Sequence, residues 1–265
     1  MNKITSFFIS IFYYVGNGFL SSLSIIGGKV FFIFLGIVHF FMPPIYFRAM
    51  WRHFVEIAFF SIPVVGLTSL FSGMVLVLQS YVGFARFSAE GAIANVVVVA
   101  LTRELGPVLT ALMVAGRISG SIAAEIGTMR VTEQVDALYT MYVNPIKYLI
   151  SPKIIAGILA LPVLVLLSDI IGVMGGYLIS VFQLGFISSV YLSSTWSFVT
   201  MGDILSGIVK GAFFGLIITG IGCYYGYTSK GGSKGVGKST TNAVVVASIL
   251  IFIVDYILTL IFFKS

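Results

Sequence analysis

Two adjacent charges, Arg103 and Glu104, stand directly before Gly106 and Pro107 in an otherwise apolar stretch, LTRELGPVLTALMVAG. A charge near the centre of a bilayer costs on the order of 3 kcal/mol on insertion scales, so such residues usually face a cavity or one another. Pro107 withholds a backbone donor and is expected to kink its helix, exposing a carbonyl near Arg103. Arg103, Glu104, Gly106 and Pro107 therefore read as the wall of a polar pocket inside the membrane, suited to holding an amphiphile. The competing reading puts both charges at the outer interface, where long side chains snorkel to water.

Other ionisable residues fall in or near apolar runs: Glu56, Asp169, Asp203, Lys210 and Asp255. Each is a candidate pathway residue, because intramembrane charge is rarely incidental. Asp203 is expected at an interface, and Glu56 lies one turn after Arg52, at the spacing of an i to i+4 ion pair. Asp169 and Asp255 are the more suggestive of a pathway. His39 and His53 are the only histidines, flank Pro43-Pro44 and have no third ligand, so neither a metal site nor a catalytic triad is expected. Cys223 is the single cysteine, which excludes an internal disulfide and a thiolate metal cluster.

Residues Gly232 to Ser239, GSKGVGKS, match the nucleotide phosphate loop in full, with Gly232, Gly237, Lys238 and Ser239 at the defining positions. A working loop joins a buried strand to a helix in a sheet that also supplies a magnesium-binding acid. Apolar runs on both sides leave no room for such a sheet. The expected structure is a flexible basic loop, with no nucleotide or other cofactor bound by this chain.

The elements that must hold these residues are membrane helices. The chain is 58% hydrophobic and 9% charged, whereas a soluble domain carries roughly 25% charged residues. Spanning the hydrocarbon core takes about 20 apolar residues, and candidate spans lie at about 53 to 80, 92 to 120, 149 to 181, 203 to 227 and 241 to 263. The first 45 residues are aromatic and apolar but carry Gly16, Gly18, Gly27, Gly28 and Lys29 and stop at Met42-Pro43-Pro44. An interfacial or re-entrant helix is expected there, ahead of a single five-span domain over 46–265. No small-residue cleavage site follows the first apolar run, so the segment is expected to be retained.

Basic residues collect on the cytoplasmic side of short loops. Lys3, Lys29, Arg48 and Arg52 precede the first span, Arg130, Lys147 and Lys153 separate the second from the third, and Lys230, Lys234 and Lys238 separate the fourth from the fifth. The other side holds Arg86 and Lys264. The expected topology has the N-terminus inside and the C-terminus outside. The net charge of +6 is thus scattered between spans, without the continuous patch that nucleic acid needs. Five spans cannot divide into two equal inverted repeats, so a pathway would lie between two copies of the chain.

Beyond Pro107 a small-residue face, Ala115, Gly116, Ser119, Gly120, Ala123 and Ala124, is spaced for close helix approach. The same close contact is expected of Gly172, Gly175, Gly176, Gly207, Gly211 and Gly215. From Arg130 to Tyr142 the pattern is amphipathic: Val131, Val135, Leu138 and Tyr142 recur at helical spacing, opposite Arg130, Glu133, Gln134 and Ala137. Glu133 and Asp136 against one arginine balance poorly for anionic lipid, which favours a docking surface for a cytoplasmic protein.

The segments ELGPVLTAL, AGRISGSIAAEIGTM and RVTEQVDAL resemble the signature of the MCE-associated permeases, the MlaE-type subunits of lipid-transport ABC systems. The resemblance runs from about Pro44 to Phe262. It implies an all-α integral membrane protein, an N-terminal interfacial helix plus five transmembrane helices, working as a homodimer in the bacterial inner membrane. It implies a coupling helix between spans 2 and 3, involving Glu125, Gly127, Met129, Arg130, Glu133, Gln134, Asp136 and Leu138, docked on a separate cytoplasmic ATPase that uses the ATP. It also implies a periplasmic MCE-domain lipid-binding protein, and a phospholipid held between the two permease copies against Arg103 and Glu104. The function implied is phospholipid movement between inner and outer membranes, maintaining outer-membrane asymmetry, with no enzymatic activity on this chain. A sterol or other hydrophobic cargo, an ion-coupled carrier or channel without an ATPase, and a hydrolase built on Gly232 to Ser239 are the alternatives.

Overall fold

The structure, a computed structural model, describes residues 3–87 and 92–263, and among these the chain is helical with no strand. Lys264 and the side chain of Lys3, both counted in the charge distribution, lie outside what is described. Eight helices follow in order: α1 (Lys3–Phe40), α2 (Phe47–Phe84), α3 (Ile93–Val131), α4 (Gln134–Thr140), α5 (Ile146–Phe182), α6 (Ser188–Phe198), α7 (Met201–Tyr227) and α8 (Gly232–Phe262). Five of them, α2, α3, α5, α7 and α8, are long and apolar enough to cross a membrane. The shortest has 27 residues, about 40 Å at 1.5 Å per residue, against a hydrocarbon core of roughly 30 Å.

Local chemistry sets several boundaries. α1 stops three residues before Pro43-Pro44, which cannot continue it. Thr200 and Asp203 form a reciprocal capping box at the start of α7. Gly231 and Gly232 take φ values of 87° and 66°, left-handed backbone open to glycine at little cost, where the chain turns from α7 into α8.

In three places the structure departs from the sequence-based expectation. Gly16, Gly18, Gly27 and Gly28 do not interrupt α1, which runs unbroken for 38 residues. The stretch Gly232 to Ser239 is the first two turns of α8 and not a flexible loop. Packing overrides the weak helix preference of its glycines, since Val236 lies against Gly127 of α3 and Ala243 is buried. The amphipathic stretch from Arg130 to Tyr142 is two pieces, because Glu133 adopts φ 62° between α3 and α4.

α5 is the central helix, flanked by α2 and α7. Small residues set the spacing: a Cβ on Gly73 would strike the Gly172 backbone, one on Gly175 the Leu70 carbonyl, and one on Gly215 the Gly157 carbonyl. Without a hydrophobic drive between helices in lipid, such close backbone approach supplies the dispersion contact that holds spans together. Ser69 and Ser168 add a buried 2.6 Å hydroxyl pair between α2 and α5. α3 lies against α7 and α8, with Ala123 and Ser119 meeting Gly226 and Gly222, and Gly120 meeting Val244. Of the expected small-residue face, Ala115, Ser119 and Ala123 are buried, whereas Gly116 opens to the surface.

Candidate functional site

The bundle has two ends, one carrying α4 and the loop between α7 and α8, the other carrying α6. The cluster of charge lies in the half toward α6. It begins with a backbone irregularity: α3 widens into a π-helical turn over Leu101–Leu105, immediately before Gly106-Pro107. In a regular helix the residue-107 amide would donate to the carbonyl of residue 103, and proline has no amide hydrogen. That carbonyl is taken up by Lys210 of α7, whose Nζ donates to Arg103 O at 2.9 Å.

Lys210 is completely buried. Its three ammonium hydrogens meet Arg103 O, Glu104 Oε2 at 2.9 Å and Thr259 Oγ1 at 2.8 Å. Asp255 Oδ1 stands 2.8 Å from Nζ as a fourth oxygen, an ion pair without a hydrogen left to bond it. Thr259 Oγ1 in turn donates to Glu104 Oε1 at 3.0 Å. A buried ammonium is tolerated only where opposite charge and hydrogen bonds replace its hydration, and α3 and α8 supply both.

Arg103 belongs to the same cluster. Its Nε donates to Asp203 Oδ1 at 2.6 Å, and its guanidinium stacks over the Phe263 ring at 4.4 Å. Asp203 Oδ2 meanwhile accepts from the Thr200 amide at 3.1 Å and hydroxyl at 2.9 Å. Asp203 and Lys210 are 2% and 0% exposed in their side chains, Arg103 and Glu104 35% and 39%. The buried pair anchors the two partly open groups, which leaves Arg103 and Glu104 a free face each.

Gly106 has a packing role. A Cβ there would occupy the space of the Asp169 carboxylate. Asp169 is buried, and its Oδ1 has no hydrogen-bond partner among the described residues. Pro107, also buried, borders Gly207 of α7.

The residues expected to couple to another protein divide into two sets at the α4 end. Gly127 is buried against α8, while Met129 and Leu138 pack on the core. Glu125 lies within α3 and pairs with the buried Lys153 Nζ at 2.6 Å. Arg130 pairs with Asp136 and stacks on the Tyr227 ring. Glu133, Gln134 and Asp136 are exposed, as are Tyr139 and Met141. Tyr142, expected on the apolar face, is instead fully exposed, because α4 ends at Thr140 and Tyr142 takes φ 59°.

One further expectation is corrected and one is extended. Glu56 does not pair with Arg52: its Oε2 lies 3.4 Å from His53 Nδ1, and its carbonyl accepts from Arg117. Asp203 does lie at the start of its span, in the first turn of α7, and is in addition the buried anchor of Arg103. Thr259, Thr200 and Phe263 were invisible to charge-based reading, although Thr259 follows Asp255 by one helical turn. No group of three or more metal-ligating side chains occurs among the described residues.

The chain matches a family model described as Permease MlaE over residues 50–261, from the first turn of α2 to the last of α8. A probable ABC transporter permease protein of Rickettsia bellii is 60% identical over 222 residues, covering 84% of this chain and 86% of that protein. One from Synechocystis is 44% identical over 199 residues, 75% of this chain and 76% of that protein. Protein TRIGALACTOSYLDIACYLGLYCEROL 1, chloroplastic, of Arabidopsis thaliana is 42% identical over 199 residues, 75% of this chain and 57% of that protein.

Proposed function

The chain belongs to the MlaE permease family of ABC transporters, and from that premise we propose that it passes a phospholipid across the membrane for a separate ATPase. The observation that carries the reading is the network of Arg103, Glu104, Lys210, Asp203, Asp255 and Thr259, which joins α3 to the α6-side ends of the apolar spans α7 and α8. A phospholipid headgroup joins an anionic phosphate to polar or cationic groups, and half-open Arg103 and Glu104 offer a partner to each. An apolar groove of about 390 Å³ opens between α2 and α3, lined mainly by Phe71, Val75, Leu76, Leu109 and Leu105, the residue that follows Glu104 in the chain, with room for part of an acyl chain. The Arabidopsis relative carries the name of a diacylglycerol glycolipid, which supports a lipid cargo without specifying a phosphate headgroup.

Exposed surfaces support the rest of the proposed assembly. The α4 end holds Arg48, Arg52, Arg130, Lys147, Lys153, Lys230, Lys234 and Lys238, which supports a cytoplasmic placement in the bacterial inner membrane. Exposed Glu133, Gln134, Asp136 and Tyr139 then form the ATPase-docking face. α1, whose Lys29 and Phe32 meet Tyr224, Tyr225 and Tyr227 near the end of α7, is read as an interfacial helix at the same end. Only 17% of the apolar window of α8 is buried, against 56% for α7, which supports a second copy of the chain closing the cavity. The uncharged α6, with exposed Val190 and Trp196, faces the periplasm, where an MCE-domain protein would receive or deliver lipid for outer-membrane asymmetry.

Affinity purification from the native membrane, with mass spectrometry of bound proteins and lipids, tests this reading. An ATPase, an MCE-domain protein and enriched phospholipid are expected, and the double substitution Arg103→Ala with Glu104→Ala is expected to remove the lipid. A chain recovered alone, or lipid transfer that survives the double substitution, would overturn it.

A further inference from the structure

α3 contains a second π-helical turn, Ala115–Ser119, and like the first it carries an arginine, Arg117. The 14 residues from Arg103 to Arg117 correspond to about 21 Å along the helix axis, most of a hydrocarbon core of roughly 30 Å. Arg117 therefore lies in the half of the bundle toward α4. Its Nη2 donates to Glu56 O at 2.8 Å and its Nε to Ser61 Oγ at 3.3 Å. A guanidinium has five N–H donors, so three remain.

Those three border a cleft of about 530 Å³ lined by Arg52, Val55, Glu56, Phe60 and Arg117. A second hollow of about 580 Å³ shares Arg52 and Glu56 with it and adds Arg48, His53, Glu125 and Lys153. The two hollows together are lined by four cations, Arg48, Arg52, Arg117 and Lys153, against two carboxylates, and Glu125 is already committed to Lys153. Phe60 of the lining is 60% exposed, and Trp51 and Phe59 of the same helix are 57% and 63% exposed, aromatic side chains of the kind that sit at headgroup depth. A surplus of guanidinium groups between lipid-facing aromatics suits a phosphate attached to acyl chains.

Resting on the transport reading above, we propose that this cleft binds the phosphate of a glycerophospholipid from the leaflet at the α4 end, with Arg52 and Arg117 as its ligands. α3 then presents one arginine to each leaflet, each in a π-helical turn, and the cleft is the site where lipid waits on one side while Arg103 serves the other. The surplus positive charge selects an anionic headgroup.

The test uses the purified full-length protein in vesicles of phosphatidylcholine doped with a phosphatidylglycerol that carries a photoactivatable group on its headgroup. Labelled peptides are then mapped by mass spectrometry. Labelling of residues 48–61 and 113–120 is expected, falling on the order of tenfold in Arg52→Ala and in Arg117→Lys, the loss of about one charge-assisted contact. Arg52 is exposed, so its replacement leaves the core intact, and Arg52→Glu is expected to abolish the labelling. Unchanged labelling in all three variants would overturn the proposal. So would displacement by millimolar inorganic phosphate, which would make this a free-anion site, or by an added acidic partner protein. Labelling here but not beside Arg103 and Lys210 would sustain this site and sink the transport reading, and the reverse would sink this site alone.

Discussion

Lys210 Nζ donates to the backbone carbonyl of Arg103 at 2.9 Å, and that carbonyl is the one Pro107 leaves without its helical donor. A proline on one span has been matched by a lysine on another, and the lysine draws Glu104 and Asp255 around itself. The cluster is thus built on a backbone defect, and its disturbance has definite consequences.

Lys210→Met leaves Glu104 and Asp255 without their shared cation and the Arg103 carbonyl without a donor. Removing one partner of a buried ion pair costs about 3–5 kcal/mol. A marked fall in Tm in detergent is expected, with partial recovery when Glu104→Gln and Asp255→Asn are added. An unchanged Tm for the single variant would contradict the geometry.

Pro107→Ala restores a backbone donor that competes with Lys210 for the Arg103 carbonyl. Expression and insertion are expected to be normal, with lipid transfer reduced in reconstituted vesicles. Full transfer would show that the free carbonyl is dispensable.

Gly106→Ala drives a methyl group into the Asp169 carboxylate and toward the Leu101 carbonyl. Overpacking of this kind costs about 1–3 kcal/mol. Asp169→Ala in the same chain is expected to restore much of the stability, a non-additivity that a double-mutant cycle of unfolding midpoints would read directly.

Gly73→Ala and Gly116→Ala are chemically the same change with opposite expected outcomes. Gly73 faces the Gly172 backbone, so α2 and α5 must separate, whereas a Cβ on Gly116 meets nothing within 4 Å. Gly73→Ala should lower Tm, and Gly116→Ala should be neutral or raise stability by up to about 1 kcal/mol through helix propensity. Equal effects in thermal unfolding would refute the packing assignment.

Glu133→Lys combined with Asp136→Lys is expected to abolish co-purification of the ATPase while leaving Tm little changed, since both side chains are exposed. Lys238→Ala is expected to leave ATP turnover of the assembled complex at its normal rate, because Gly232 to Ser239 is helical and offers no phosphate cradle. Retention of the ATPase in the first variant, or loss of turnover in the second, would reverse these assignments.

Much was legible in the amino-acid order. Five apolar runs of about 20 residues or more predicted five helical spans, because a helix satisfies its backbone within the segment and needs that length to cross the hydrocarbon core. The pair Gly106-Pro107 announced a freed carbonyl near Arg103, and the apolar runs beside Gly232 to Ser239 argued against the strand a phosphate loop needs. What the sequence did not carry was which charge faces which. Lys210 meets Glu104 across 106 residues of chain and Asp255 across another helix boundary, and each pairing depends on the rotation of a span about its axis, which shifts by about 100° per residue. The same rotation decides that Asp203 anchors Arg103, that Thr259 joins the cluster and that Arg117 turns toward Arg52. Local composition determined the solvent, the number of helices and the position of their defects. Only tertiary packing, through glycine contacts that fix the spans' depth and rotation against one another, decided which of the buried charges became partners.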